Sequence, residues 1–198
     1  MSDAGSANLR DGVRVSVISI AWTTVSSVLA IAIGVEASSL VLVAFGCTGL
    51  LDAAGSVALV VHFRHALRHE TFSQRHERVA FVVVTGGLVL VAVATIVESV
   101  LRLRAGGSAE QSFAGAGLAA VSAVVLALLA RRKVALGRAI PSRALFADGM
   151  LSTTGALLAV VTLVGTVLAG LGWWWADPVA ALVVAFGAIA VALALARE

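Results

Sequence analysis

The stretch LVLVAFGCTGLLDAAGSVALVV, residues 40–61, decides how the rest of the chain is read. It carries one carboxylic acid, Asp52, inside an apolar run long enough to supply the ~20 residues a helix needs to cross ~30 Å of hydrocarbon. An ionised side chain at mid-bilayer costs at least ~2.5–3.5 kcal/mol, so Asp52 has to face a bundle interior, be protonated or bind a cation. Thr48 lies one turn earlier on the same helical face, and Cys47 is a near neighbour. The segment therefore reads as a membrane span holding a candidate pathway carboxylate, with Thr48 and Cys47 as weaker ligands. A neutral acid bonded to a neighbouring helix is the structural alternative.

Working outward, five further apolar runs occupy about residues 15–35, 79–101, 112–130, 144–170 and 177–196. The expected fold is all-α: a polytopic membrane protein of six transmembrane helices over residues 14–198, preceded by a disordered segment at 1–13. Composition agrees, since 60% of the 198 residues are hydrophobic and only 13% charged, where a soluble domain carries roughly a quarter. A soluble enzyme is excluded. No nucleophile elbow, phosphate-binding glycine loop or HExxH motif occurs, and tyrosine is absent. The net charge of +3 could suggest a nucleic-acid partner. The arginines stand instead at the ends of apolar runs, as lipid-headgroup anchors do, so the expected partner is the bilayer and no nucleic acid. A single cysteine rules out an intrachain disulfide.

The polar stretches 62–78 and 131–143 read as basic loops on one side of the membrane. With the amino terminus inside, twelve Lys and Arg fall in the cytosol and only Arg102 and Arg104 outside. The positive-inside rule then puts both termini in the cytosol. Residues 36–39 read as a tight turn, and Trp173–Trp175 as a membrane-boundary belt.

Asp148 enters span 5 with Ser152 one turn later, repeating the acid and hydroxyl spacing of span 2. At ~1.5 Å per residue, Asp52 lies some 14 Å and Asp148 some 6 Å from the inner ends of their spans, so both can open to one cytosol-facing cavity. An acid in a first helical turn is also favoured by the helix dipole, which leaves a structural role for Asp148 open. Glu98 and Arg102, four apart, read as a surface ion pair, and Asp177-Pro178 as a helix start with the acid as its cap. His62, His65 and His69 fall on one face of a helix continuing span 2, a spacing that could collect metal at the cytosolic mouth. Clustered arginines oppose that reading. Trp22 with Asp52 would also suit a small organic cation.

Several of these residues resemble the cation diffusion facilitator family. The likeness rests on Ala147-Asp148 followed by Gly172-Trp173-Trp174-Trp175-Ala176-Asp177-Pro178-Val179-Ala180-Ala181-Leu182, and on Phe45-Gly46-Cys47-Thr48-Gly49-Leu50-Leu51-Asp52. His76-Glu77-Arg78 and Glu98-Ser99-Val100 fit it as well. The resemblance implies a membrane-domain-only member without the C-terminal cytosolic domain. It also implies export of a divalent metal of the zinc, manganese, iron or cobalt class, exchanged for protons by a homodimer. Small residues in spans 4 and 6 would permit the close contacts of a dimer. The metal is cargo, and no permanently bound cofactor is expected. The family's paired ligands fall here on Thr48 and Asp52 in span 2 and on Leu151 and Gly155 in span 5. The latter two cannot bind metal, so Asp148, Ser152, Cys47 and Thr48 are the candidates to complete a site around Asp52. A transport-inactive relative with a structural or partner role is the alternative. The preference for Arg over Lys and for Ala and Val points to a GC-rich bacterial genome, hence an inner membrane.

Overall fold

The computed structural model describes residues 3–67, 74–106, 110, 112–139 and 143–195. They form six helices and, among the described residues, no strand: α1 (Asp3–Glu36), α2 (Leu40–Leu67), α3 (Gln74–Ala105), α4 (Phe113–Ala139), α5 (Arg143–Gly170) and α6 (Ala176–Leu195). Each expected span falls on one helix, span 4 beginning one residue before α4 and span 6 ending one residue beyond the described part of α6. Four helices run further than expected: α2 reaches Leu67 and α3 begins at Gln74, both inside the expected first basic loop, and the two longest extensions belong to α1 and α4. The stretch 1–13, read as disordered from its small polar residues, is helical from Asp3 onward. Ala4, Ala7 and Leu9 are good helix formers, and the apolar run that follows has already met the cost of nucleation. At the other extension, α4 continues through Arg131, Arg132 and Lys133 to Ala139, so much of the expected second basic loop is helix.

Five of the helices contain a segment long and apolar enough to cross a membrane. In α2 the apolar run among described residues is Leu40–Ala54, within a helix of 28 residues. At ~1.5 Å per residue that helix is ~42 Å long, more than a hydrocarbon core requires. Val25, Leu90, Val124, Leu157 and Phe186 point outward from different helices with roughly half or more of their surface uncovered. Water would penalise such a surface and lipid would not. Thr24, Thr153 and Thr154 lie among these apolar neighbours and donate to the carbonyls of Ile20, Gly149 and Met150 of their own helices. Their hydroxyls thus need no outside partner.

Packing divides the helices into two groups. α1, α2, α5 and α4 form a closed ring of neighbours, while α3 pairs with α6 and the pair lies against α2 and α5. Small residues set these distances. Gly46 of α2 is pressed so close to α1 that a Cβ there would stand 2.6 Å from the carbonyl oxygen of Ser27. Gly165 of α5 meets α6 in the same way, a Cβ falling 2.4 Å from that of Ala180. On the α3–α6 seam, Leu88 and Ala92 pack on Ala185, Ala188 and Ala192. Backbone cannot yield as a side-chain tip can. Gly46→Val should therefore separate α1 from α2 and lower the thermal unfolding midpoint by several degrees in detergent, while Gly117→Val, with open space around it, should leave the midpoint unchanged.

The turn between α1 and α2 places Ser38 at φ 51 and is closed by Ser39 N–H donating to Gly34 O at 2.8 Å. Arg102, which forms the expected surface ion pair with Glu98 at 3.2 Å, also donates to Ser38 O. Asp177 stands in the first turn of α6, as expected, yet it caps a different helix. Its carboxylate accepts from Ser39 Oγ and, at 2.8 Å, from Leu40 N–H at the start of α2. The acid is fully buried, so the cap doubles as a clamp between α6 and α2. Asp177→Ala leaves buried donors unmet and should cost about 1–3 kcal/mol, read as a lower unfolding midpoint, with Asp177→Asn losing less.

A candidate cation site enclosed by four helices

Each helix of the ring sends one polar side chain to a common point near the end that carries both termini. Ser16 comes from α1, Ser56 from α2, Lys133 from α4 and Asp148 from α5. Lys133 Nζ lies 2.8 Å from Asp148 Oδ2, and the two side chains are 1% and 3% exposed. Ser56 donates to Asp148 Oδ1 at 2.9 Å, and Ser16 to Oδ2 at 3.3 Å. Lys133 Nζ donates further to Ser152 Oγ at 2.9 Å. Asp148 is thus met by three donors from three helices. This arrangement satisfies a buried carboxylate, which is otherwise costly in a low-dielectric interior.

Asp52 lies one turn before Ser56 on α2, and Ser152 one turn after Asp148 on α5. Because α2 runs toward the terminal end and α5 away from it, both are displaced by ~6 Å in the same direction from the Asp148 level. Asp52 is partly exposed, feels the charges of Asp148 and Lys133, and accepts no hydrogen bond from the described residues. It differs from Asp148 in having no donor to its oxygens among the described residues. Thr48, the next turn of the same face, is buried and donates to Ala44 O and Phe45 O at 2.9 and 3.0 Å. Its oxygen lone pairs stay available. Cys47 is a partly exposed free thiol, set ~140° around the helix from Asp52. On α1, the buried hydroxyls Ser16, Ser19, Thr23 and Ser27 recur every three or four residues. They line the same interhelical seam from Asp148 toward Gly46.

The sequence-derived candidates divide accordingly. Asp148 and Ser152 are joined through Lys133, and Thr48 and Asp52 share a face beside them. His62 and His65 lie on the last turns of α2, but their side chains fall outside the described residues, as does His69 altogether. Among the described residues no group of three or more His, Cys, Asp or Glu converges as a metal cluster. Lys133, Ser16 and Ser56 were missed from sequence. Lys133 was counted with the loop arginines because it follows Arg131 and Arg132. A signal was nevertheless present: the buried face of α4, Gly115, Ala119, Ser122, Leu126, Ala130, Lys133 and Gly137, carries its helical spacing straight through the lysine.

The fold and this enclosed charge cluster define a polytopic membrane protein with ionisable groups held inside its helix bundle. The chain belongs to the cation efflux family: residues 16–198 match the cation efflux transmembrane domain. No curated protein matches the chain. Members of this family are cation transporters rather than enzymes, which makes the bilayer and a transported cation the partners of this chain.

Proposed function

We propose that the protein carries a divalent metal cation out of the cytosol in exchange for protons, with Asp52 as the carboxylate that holds the ion in transit. The carrying observation is Asp52 itself: an acid inside a membrane span, partly exposed, with no donor engaging it among the described residues, beside the ring of α1, α2, α4 and α5. Thr48 and Ser152 are the neighbouring oxygens, and the buried hydroxyls of α1 offer a polar lining along the route. Such a set is all oxygen apart from Cys47, which suits hard ions that keep part of their water, manganese above the softer zinc. Protonating Asp52 removes the charge that attracts the metal, so protons entering on the far side release it.

The orientation that fits this direction has both termini in the cytosol, in a plasma or inner membrane. Arg14 and Arg132 line one groove at the terminal end with Val15, Ile18, Ala135 and Leu136, a headgroup-facing arrangement. A homodimer remains part of the proposal, resting on family membership and on the outward-facing small residues of α4. A transport-inactive scaffold is the competing reading, favoured by the saturation of Asp148 and by Leu151 and Gly155 at the family's span 5 ligand positions. Flux into proteoliposomes decides between them. Metal uptake across a panel of Mn²⁺, Zn²⁺, Co²⁺ and Fe²⁺ should be fastest for one of the ions and accelerate when an opposing proton gradient is imposed. No uptake of any of them leaves the scaffold reading.

A further inference from the structure

We infer that Lys133 is a tethered cation that competes with the transported divalent ion for Asp148. The inference rests on the cation-carrier reading above and adds to it the residue that sets how tightly the ion is held. Three observations carry it. The ammonium already occupies the place between Asp148 Oδ2 and Ser152 Oγ, at 2.8 and 2.9 Å, distances at which a cation engages those two oxygens. Charge forbids joint occupancy. Asp52, Asp148 and Lys133 together carry one net negative charge; a divalent ion added to them leaves an uncompensated positive charge enclosed by the helices, which is strongly disfavoured. With the ammonium withdrawn, Asp52 and Asp148 supply the two negative charges that a divalent ion matches. Ser152 becomes a free oxygen at the level of Asp52.

Lys133 also has somewhere to go. Arg131 and Arg132, its immediate neighbours on α4, are exposed, so this turn lies at the edge of the span. A four-carbon stem at that depth ordinarily reaches outward to the headgroups, and here it is drawn inward by Asp148. Entry of the metal sends it back out. The same ammonium, returning, helps to expel the metal from Asp148, which keeps affinity low enough for turnover.

The chain contains one lysine, so its reactivity can be followed in the wild-type protein without any substitution. The purified protein is treated with a water-soluble amine-reactive reagent, with and without saturating Mn²⁺. Lys133 modification is read by mass spectrometry and Mn²⁺ occupancy by electron paramagnetic resonance. Lys133 should be protected without metal and modified at least about tenfold faster with Mn²⁺ bound. Protection unchanged while Mn²⁺ is bound overturns the inference. As a second arm, Lys133→Met should bind Mn²⁺ at least about tenfold more tightly than wild type, and Lys133→Met/Asp148→Asn no more tightly than wild type. Binding by Lys133→Met that is equal to or weaker than wild type overturns it as well. Failure of the carrier reading looks different: wild-type protein then shows neither Mn²⁺ binding nor flux, whereas failure of this inference leaves both intact and independent of Lys133.

Discussion

Lys133→Met and Asp148→Asn should each destabilise the protein by about 3–5 kcal/mol, while the double variant recovers most of that loss. Each single change strands one charge in a site that is 1–3% exposed. Asp148→Asn deprives the ammonium of its counter-charge. Lys133→Met leaves the carboxylate with only the Ser16 and Ser56 hydroxyls. Removing both charges leaves a near-isosteric apolar stem facing an amide, and such replacements of buried ion pairs are often neutral. Thermal unfolding in detergent reads all three variants on one scale. A double variant as unstable as the worse single one would mean that the four-helix junction depends on the pair's geometry and not on charge balance. The difference in helix order matters here: the pair joins α4 to α5, and the serines tie in α1 and α2, so loss at this point loosens the whole ring.

How much of this the sequence discloses depends on whether the cause is local. The six helices were legible because hydropathy in a bilayer is a nearly sufficient cause of helix, every backbone group having to bond within its own segment. Asp52 was legible for the same reason, since an acid within residues 40–61 violates the rule that made the span readable. Asp177 was half legible. Its place at a helix start follows from Pro178, but the helix it caps begins at Leu40, a relation between distant segments that no local pattern encodes. Lys133 was misread because three consecutive basic residues look like a loop, and only the partner on α5 makes one of them a buried group. The Asp148 and Ser152 spacing was visible, whereas the cation already seated between them was not. Leu151 and Gly155 offer no side-chain metal donor, which is legible from residue type alone, yet nothing near them in sequence announced that an ammonium would reach Ser152 beside them.

The largest functional effect is expected at Asp52. Asparagine keeps the size and the hydrogen-bonding shape of the side chain but cannot carry the negative charge that draws a cation into the span. Because Asp52 accepts no hydrogen bond from the described residues, the substitution strands no donor, so folding should be close to wild type, in contrast to the Asp148 variant. Loss of transport with retained stability would therefore report on the ion and not on the scaffold. Conversely, Thr48→Ala removes a hydroxyl whose proton is already spent on its own helix, and a partial loss is expected there, severalfold in apparent affinity.

The most direct measurement is metal flux in proteoliposomes containing Asp52→Asn beside wild type, at matched protein incorporation and matched unfolding midpoint. The account predicts uptake by the variant at the level of protein-free vesicles. Uptake at the wild-type rate would contradict it, leaving Asp52 as a helix-packing residue and the cation's route elsewhere in the bundle.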